Sequence, residues 1–143
     1  MRRIPPPAPL SDLEKYARAC IAAENYPADH HPFTPFGCAS CGMVPLAVRL
    51  EHHTGSRPGD FKGSVFGRCS ECGKETRIFT FTGNHRKLLR QERPSCDCGH
   101  NHFWVAMVER IEGGQGLAGF FDEGVIVGKC SRCHRLALLA STD

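Results

Sequence analysis

One eight-residue stretch occurs twice in the sequence and decides the fold. It reads Val-Phe-Gly-Arg-Cys-Ser-Glu-Cys over residues 65–72 and Ile-Val-Gly-Lys-Cys-Ser-Arg-Cys over residues 126–133. Each copy ends in a C-x-x-C pair that follows a β-branched or aromatic residue, a glycine and a basic residue. A repeat with this much shared detail indicates a duplicated structural unit.

Each copy supplies the second of two cysteine pairs in its unit, so that eight of the nine cysteines are paired along the chain. Two pairs separated by a span of this size are typical of one tetrahedral four-thiolate zinc site. The sequence therefore predicts two Zn²⁺ ions. The predicted ligands are Cys38, Cys41, Cys69 and Cys72 at site 1, and Cys96, Cys98, Cys130 and Cys133 at site 2.

The turns that carry the cysteines support this assignment, with one exception. A residue with positive φ lets the chain leave a C-x-x-C turn, and glycine adopts that conformation most readily. Glycine follows three of the four pairs, at Gly42, Gly73 and Gly99, and His134 follows the fourth. The pair Cys96/Cys98 is C-x-C, with Ser95 where a C-x-x-C would have its first cysteine. At site 2, His100 or His102 is therefore an alternative to one cysteine.

Three other uses of the cysteines are alternatives to zinc. A rubredoxin-type iron site has similar spacing, but the second pairs enclose Ser70-Glu71 and Ser131-Arg132 where such sites usually carry proline. Disulfides suit exported proteins, and a redox-active C-x-x-C suits a thioredoxin-like βαβ context; neither pattern is present. Iron remains the alternative metal.

With these motifs, residues 36–141 resemble a tandem pair of zinc ribbons. The resemblance implies a mostly β fold of two small zinc-ribbon units with an N-terminal α-helix. The expected divisions are an arm, helix and loop over 1–36, ribbon 1 over 37–83, a basic linker over 84–95 and ribbon 2 over 96–143. The cysteine motifs of the second unit are also faintly similar to the small zinc-binding subunit of acetone-type carboxylases.

Composition favours a globular, cytoplasmic protein. The chain has 143 residues, 41% of them hydrophobic, and no apolar run approaches the roughly 18 residues of a membrane span. Prolines near the N-terminus leave no room for the apolar segment of a signal peptide. The formal charge of +3 falls to about −1 once eight thiolates hold two Zn²⁺ ions, since the sites contribute −8 + 4.

Two segments outside the ribbons are candidates for partner binding. Ser11 and Glu14 form a capping box, which predicts a helix that runs to about Asn25. Its apolar stripe either packs on the first ribbon or binds a partner protein. The residues of the stripe are Leu13, Tyr16, Ala17, Cys20 and Ile21.

The linker is predicted to form a short helix between Asn84 and Pro94, and its basic residues could contact nucleic acid. These residues are Arg86, Lys87, Arg90 and Arg93. Two histidine pairs, His30-His31 and His52-His53, are expected to be solvated rather than bound to metal.

No catalytic constellation is visible, because the chain lacks a phosphate loop, an H-E-x-x-H motif and a Ser/His/Asp pattern. The sequence favours a non-catalytic structural-zinc protein that acts as a protein-interaction module or as an accessory subunit of a larger complex. A nucleic-acid-binding ribbon protein is the alternative. An enzyme with an open zinc position at the irregular second site is a further alternative.

Overall fold

The computed structural model describes residues 7–21, 32–57, 60–80, 87–110 and 123–142. In these ranges the protein is mostly β, as predicted, with one N-terminal helix and eight antiparallel strands. The described helix is too short to span a membrane. The elements are α1 Pro7–Ile21, β1 Phe33–Phe36, β2 Leu46–His53, β3 Gly63–Cys69, β4 Glu75–Thr80, β5 Leu88–Glu92, β6 His102–Arg110, β7 Glu123–Cys130 and β8 Leu136–Thr142.

Both units contribute to one continuous sheet with the strand order β4-β3-β2-β6-β7-β8. Strands β2, β3 and β4 belong to the first unit, and β6, β7 and β8 to the second. The units meet where β2 pairs with β6, with Leu46 opposite Phe103 and Ala47 opposite His102. We call the side of the sheet that carries Leu46 and Phe103 the inner face, and the opposite side the outer face.

The units also exchange their first strands. Strand β1, which precedes the first cysteine pair of unit 1, pairs with β6 of unit 2. Strand β5, which precedes the first cysteine pair of unit 2, pairs with β2 of unit 1. Each unit therefore completes the sheet of the other, and the arrangement approximates a two-fold axis between β2 and β6.

The hairpins of the two units match in register, including an irregularity. Cys69 lies opposite Leu46 in unit 1, and Cys130 lies opposite Phe103 in unit 2. The register of β3 with β4 shifts between Val65 and Phe66, and that of β7 with β8 shifts between Ile126 and Val127. The two shifted positions lie 61 residues apart in the chain (126 − 65). The sequence repeat thus corresponds to a structural repeat.

The inner face forms a core that is common to both units. Strand β2 alternates between buried and half-buried residues, as expected when one face of a strand is covered. Leu50 and Val65 from unit 1 join Val105 and Ile126 from unit 2 in a single apolar cluster. Because this cluster crosses the boundary between the units, burial of apolar surface stabilises them together.

Helix α1 covers the outer face of unit 2. Leu13 and Ala17 are fully buried against Ala106, Val108 and Val127. Lys129 Nζ donates to the Asp12 carboxylate at 3.0 Å, which ties the first half of the helix to β7. The predicted stripe therefore packs inside the molecule, and on the second ribbon rather than the first.

Two local predictions were wrong. The helix begins at Pro7, a residue whose fixed φ suits the first helical turn, so Ser11 lies inside the helix and is not its N-cap. Glu14 instead pairs with Arg18 one turn later, at 2.7 Å. In the linker, residues Leu88–Glu92 form strand β5 rather than a helix, because the free edge of β2 offers backbone partners there.

Candidate metal centres

Site 1 lies at one end of the first hairpin. Cys38 and Cys41 lie in the connection between β1 and β2, Cys69 is the last residue of β3, and Cys72 lies in the turn between β3 and β4. The four Sγ atoms are within 4.8 Å of one another, and Cys38 Sγ is 3.7 Å from Cys72 Sγ. These four cysteines could hold one metal ion.

Site 2 is the equivalent cluster of the second unit. Its four Sγ atoms are also within 4.8 Å of one another. Cys96 Sγ lies 3.3 Å from Cys133 Sγ, and Cys98 Sγ lies 3.6 Å from Cys130 Sγ. The structure therefore brings the eight predicted ligands together in two clusters of four cysteines.

Backbone amides stabilise the thiolate of the leading cysteine in each turn. The amides of Glu71 and Cys72 donate to Cys69 Sγ at 3.2 and 3.4 Å. At site 2 the amides of Arg132 and Cys133 donate to Cys130 Sγ at 3.4 and 3.5 Å. Burial raises the pKa of Cys130, but these two amides, together with hydrogen bonds from the Cys98 and Cys133 thiols, outweigh it and lower the pKa to about 6.

The turns that carry the first cysteine pair of each unit differ in how many backbone amides donate to the leading thiolate. The Cys41 and Ser40 amides both donate to Cys38 and lower its pKa to about 7. In the shorter C-x-C turn, the Cys98 amide favours the Cys96 thiolate, but the neighbouring Cys133 thiol and burial outweigh that amide. The pKa of Cys96 is therefore raised. Cys96 has one amide donor where each other leading cysteine has two.

The predicted backbone of the turns is confirmed. Gly42, Gly73 and Gly99 have φ values of 85°, 79° and 93°. His134 adopts φ 68° and is the non-glycine residue with positive φ in the described part of the chain. It follows Cys133 as Gly73 follows Cys72, so the duplicated turn imposes the same conformation on a less suitable residue.

The two alternative histidine ligands lie beside site 2 but outside its sulfur cluster. His100 Nε2 is 2.8 Å from Ser131 Oγ, and the carbonyl of His102 accepts a hydrogen bond from the Ser131 amide. His100 and His102 rings are 5.5 Å apart. Burial and the nearby His100 lower the pKa of His102. These side chains pack around the turn that carries Cys130 and Cys133.

Of the other histidines, His52 is buried rather than solvated, contrary to the prediction. Its Nε2 is 2.8 Å from Glu92 Oε1 and its Nδ1 is 2.8 Å from Ser56 Oγ. His53 is partly buried. His30 and His31 lie outside the described residues.

The predicted partner-binding stripe divides into several environments. Leu13 and Ala17 are buried, and the Tyr16 hydroxyl accepts a hydrogen bond from the backbone of Leu138. Cys20 is exposed, lies outside both sulfur clusters and is hydrogen-bonded to Tyr16. The side chain of Ile21 lies outside the described residues.

The predicted basic contacts are separated by strand β5. Arg90 lies opposite His52 and points to the inner face. Arg93 is three residues further on, and alternation along the strand places it on the outer face, where its charge acts on Glu75. Lys87 is exposed just before the strand, and Arg86 lies outside the described residues.

Sequence reasoning missed the outer face of unit 1. Arg49 donates to Glu75 at 2.9 and 3.2 Å and to Glu51 at 2.6 Å, while its guanidinium lies 4.1 Å above the centre of the Phe66 ring. Hydrogen bonds from Arg49, together with the charges of Arg93 and Arg68, lower the pKa of Glu75. The alternation of residues in β2 and β3 already places Arg49 and Phe66 on the exposed side of their strands. Only the strand pairing shows that these side chains contact one another.

Comparison of the chain with protein-family models, with curated proteins and with solved structures returns no significant match. The class of site therefore follows from the geometry alone. Two four-cysteine clusters at the ends of β-hairpins are consistent with zinc-ribbon-like units.

Proposed function

We propose that the protein is a non-catalytic binding protein, that two structural Zn²⁺ ions hold its fold together, and that it binds single-stranded nucleic acid on the outer face of unit 1. The observation that carries the proposal is a set of exposed arginines on the outer face of strands β4, β3, β2 and β5. They are Arg68, Arg77 and Arg93.

The donor set and its spacing support zinc. Four thiolates at about 2.3 Å from a tetrahedral ion are about 3.8 Å apart. Sulfur separations of 3.3 to 3.7 Å in the two clusters are close to that value. Four sulfur ligands per ion leave no open position for water or substrate, which is the pattern of structural zinc. Native mass spectrometry should detect two zinc ions, and Cys69→Ser and Cys130→Ser should each remove one.

The duplicated units use equivalent positions on the outer face in opposite ways. In unit 2, Ala106 and Val127 are buried under helix α1. The equivalent residues of unit 1 are Arg49 (106 − 57) and Phe66 (127 − 61), as the pairs Leu46/Phe103 and Cys69/Cys130 establish. One outer face is thus apolar and covered by the protein's own helix, while the other carries charged side chains.

The charged face has a flat centre and a basic rim. Arg49 pairs with Phe66, and Phe66 pairs with Arg77, so these side chains lie in a row across neighbouring strands. The Arg49 side chain is only 13% exposed and is neutralised by Glu51 and Glu75. Arg68, Arg77 and Arg93 surround it and are exposed.

Charge and shape together favour a single strand. Residues 37–95 contain ten Lys and Arg but five Asp and Glu, whereas residues 96–143 contain four and six. Exposed guanidinium groups attract phosphates. A sheet that presents planar guanidinium groups suits unstacked bases, whereas reading a duplex requires an element that enters a groove.

The test is fluorescence anisotropy with a labelled single-stranded RNA and the corresponding DNA and duplex. We expect the triple variant Arg68→Gln, Arg77→Gln, Arg93→Gln to weaken binding at least about tenfold, and to reduce the slope of log K against log salt by about 2, since each lost phosphate contact of a single strand contributes about 0.7.

The matched control removes the same charge elsewhere, with Arg57→Gln, Arg90→Gln and Arg135→Gln. These side chains are 74%, 57% and 65% exposed. The proposal fails if both triple variants weaken binding equally, or if binding does not depend on salt.

A protein-interaction role, as an accessory subunit, is a second candidate supported by a different observation. Leu88, Leu89 and Leu138 are large apolar side chains that are 51%, 60% and 46% exposed in the described part of the chain. Large apolar side chains that are exposed to this extent are candidates for contacts with a partner. Quantitative affinity capture with the wild type, with Leu88→Ser/Leu89→Ser and with a Lys15→Ser control should identify a protein that only the leucine variant loses. If no protein distinguishes the variants, this candidate is rejected.

A further inference from the structure

A cleft of about 340 Å³ opens between β5, the connection from β2 to β3, and the last strand β8. It lies on the inner face, away from the arginines that the proposed nucleic-acid surface uses. Phe61 and Ala140 form an apolar floor. Both belong to the core and are only 4% and 7% exposed. Leu139, which packs partly buried against the inner core, adds apolar surface to the cleft.

Hydrogen bonds fix the wall of the cleft. The Phe61 amide donates to the Ser141 carbonyl at 2.7 Å, which joins the β2–β3 connection to β8. The His52 ring lies edge-on to the Phe61 ring at 5.0 Å, and His52 Nε2 is 2.8 Å from Glu92 Oε1. Phe61 and His52 are therefore held in place whether or not a ligand is present.

Arg57 and Arg90 line the mouth of the cleft with incompletely matched charges. Among the described residues, the acids nearest to them are Asp60 at 3.7 Å and Glu92 at 3.9 Å, and both distances exceed hydrogen-bond length. Each acid has a nearer donor or partner, since Lys62 Nζ lies 3.0 Å from Asp60 and His52 lies 2.8 Å from Glu92. The two guanidinium groups thus keep hydrogen-bond donors for another anion.

We infer that this cleft binds an apolar group that carries a carboxylate. The apolar group would lie on Phe61 and Ala140, and the carboxylate would accept hydrogen bonds from Arg57 and Arg90, whose planar donors match a carboxylate. A volume near the lower end of the range for ligand sites accommodates one ring or branched side chain rather than a large cofactor. The carboxylate is that of a free organic acid or of the last residue of a peptide.

The test is titration of the zinc-loaded ¹⁵N-labelled protein, followed by amide NMR. The probes are 3-phenylpropanoate, its neutral amide, and an N-acetylated tripeptide ending in leucine, with and without a free carboxylate. We expect shifts at the amides of Phe61 and Ser141, and about tenfold weaker binding for each neutral amide probe than for its acid. The tighter of the two acid probes identifies the source of the carboxylate.

The variants separate this cleft from the nucleic-acid surface. Arg57→Gln and Arg90→Gln should each weaken binding of the acid probes about tenfold, whereas Arg77→Gln on the outer face should leave it unchanged. All three side chains are exposed, so the variants keep the fold. Leu139→Ala should weaken acids and amides alike, because it removes apolar surface from the cleft and leaves its charge unchanged. Equal binding of acid and amide, an equal effect of Arg77→Gln, or no shift at Phe61 and Ser141 would each overturn the inference without affecting the nucleic-acid proposal.

Discussion

His134 adopts the left-handed conformation that glycine adopts after the other three cysteine pairs. A side chain in this conformation raises the energy of the folded state by about 1–2 kcal/mol, while glycine gains more entropy on unfolding and offsets part of that difference. We expect His134→Gly to raise the free energy of unfolding by about 0.5–1 kcal/mol. Chemical denaturation of the zinc-loaded protein measures this, and the reverse change Gly73→His should lower stability. A stability loss in His134→Gly would contradict the argument.

The single amide donor at Cys96 makes a second prediction at this scale. An N–H···S bond stabilises the thiolate that binds the metal, and one missing bond corresponds to about 1 kcal/mol. Site 2 should therefore lose its ion several times faster than site 1 when a chelator is added. Alkylation followed by peptide mapping of the one-metal species reports which cysteines have become free.

The matched control for this prediction inserts one glycine between Asp97 and Cys98, which restores a C-x-x-C turn. If the second amide is the cause, the insertion should bring the release rates of the two sites together. Equal rates in the wild type would instead show that the shorter turn has no effect on metal retention.

At the scale of elements, helix α1 is bound to the sheet by a few buried side chains. Leu13 is fully buried against the outer face of unit 2, so Leu13→Ala removes apolar contacts and leaves a cavity. Such changes lower the free energy of unfolding by about 2–5 kcal/mol. Lys15 is exposed on the same helix, and Lys15→Ala should have little effect. If Leu13→Ala were as mild as Lys15→Ala, the helix would not be part of the core.

Two glycines belong to the β-bulged hairpins and lie so close to neighbouring side chains that a methyl group would displace them. A Cβ atom on Gly128 would lie 2.9 Å from Leu139 Cδ1 and 3.1 Å from Phe103 Cβ. On Gly67 it would lie 2.9 Å from both Ile78 Cδ1 and Leu46 Cδ1. We expect Gly67→Ala and Gly128→Ala each to lower the free energy of unfolding by about 1–3 kcal/mol. Thermal unfolding measures both, and a large difference between them would argue against equivalent packing.

Some elements were predictable from sequence because their pattern is local. The cysteine spacing and the glycines after the turns identified the two four-cysteine clusters, and the apolar periodicity identified helix α1. Strand β5 was not predictable, because Leu88–Glu92 has no alternation of polar and apolar residues and is exposed throughout. It is a strand because its backbone pairs with β2, and that partner lies more than thirty residues earlier in the chain.

At the scale of the whole molecule, the exchanged strands and the common core couple the units. Cys69→Ser removes a ligand of site 1 only, yet we expect it to lower the midpoint of thermal unfolding observed at Trp104, which lies in unit 2. Trp104 is the single tryptophan, so its fluorescence reports that unit alone. Cys20→Ser is the control, because Cys20 is exposed and lies outside both clusters. An unchanged Trp104 transition would mean that the units unfold independently.

The exchange of first strands was the largest difference from the tandem arrangement that the sequence resembles. Two successive ribbons and two ribbons that complete one another have the same cysteine spacing and the same strand pattern. The choice between them depends on which edge of which strand β1 and β5 occupy, and both segments are short. Only long-range packing decides that question, so the cysteine clusters were predictable while the connection between the units was not.

The strand exchange also has a consequence during synthesis on the ribosome. Phe36 emerges 69 residues before Val105, the residue it pairs with (105 − 36). At about 5–20 residues per second, this delay is on the order of 3–14 s. The cysteines of site 1 are complete well before then, so the nascent first unit can bind its metal while β1 still lacks its partner. During that interval the exposed edge of the unfinished sheet can pair with another chain. This exposure ends when β6 has been synthesised and pairs with β1 and β2.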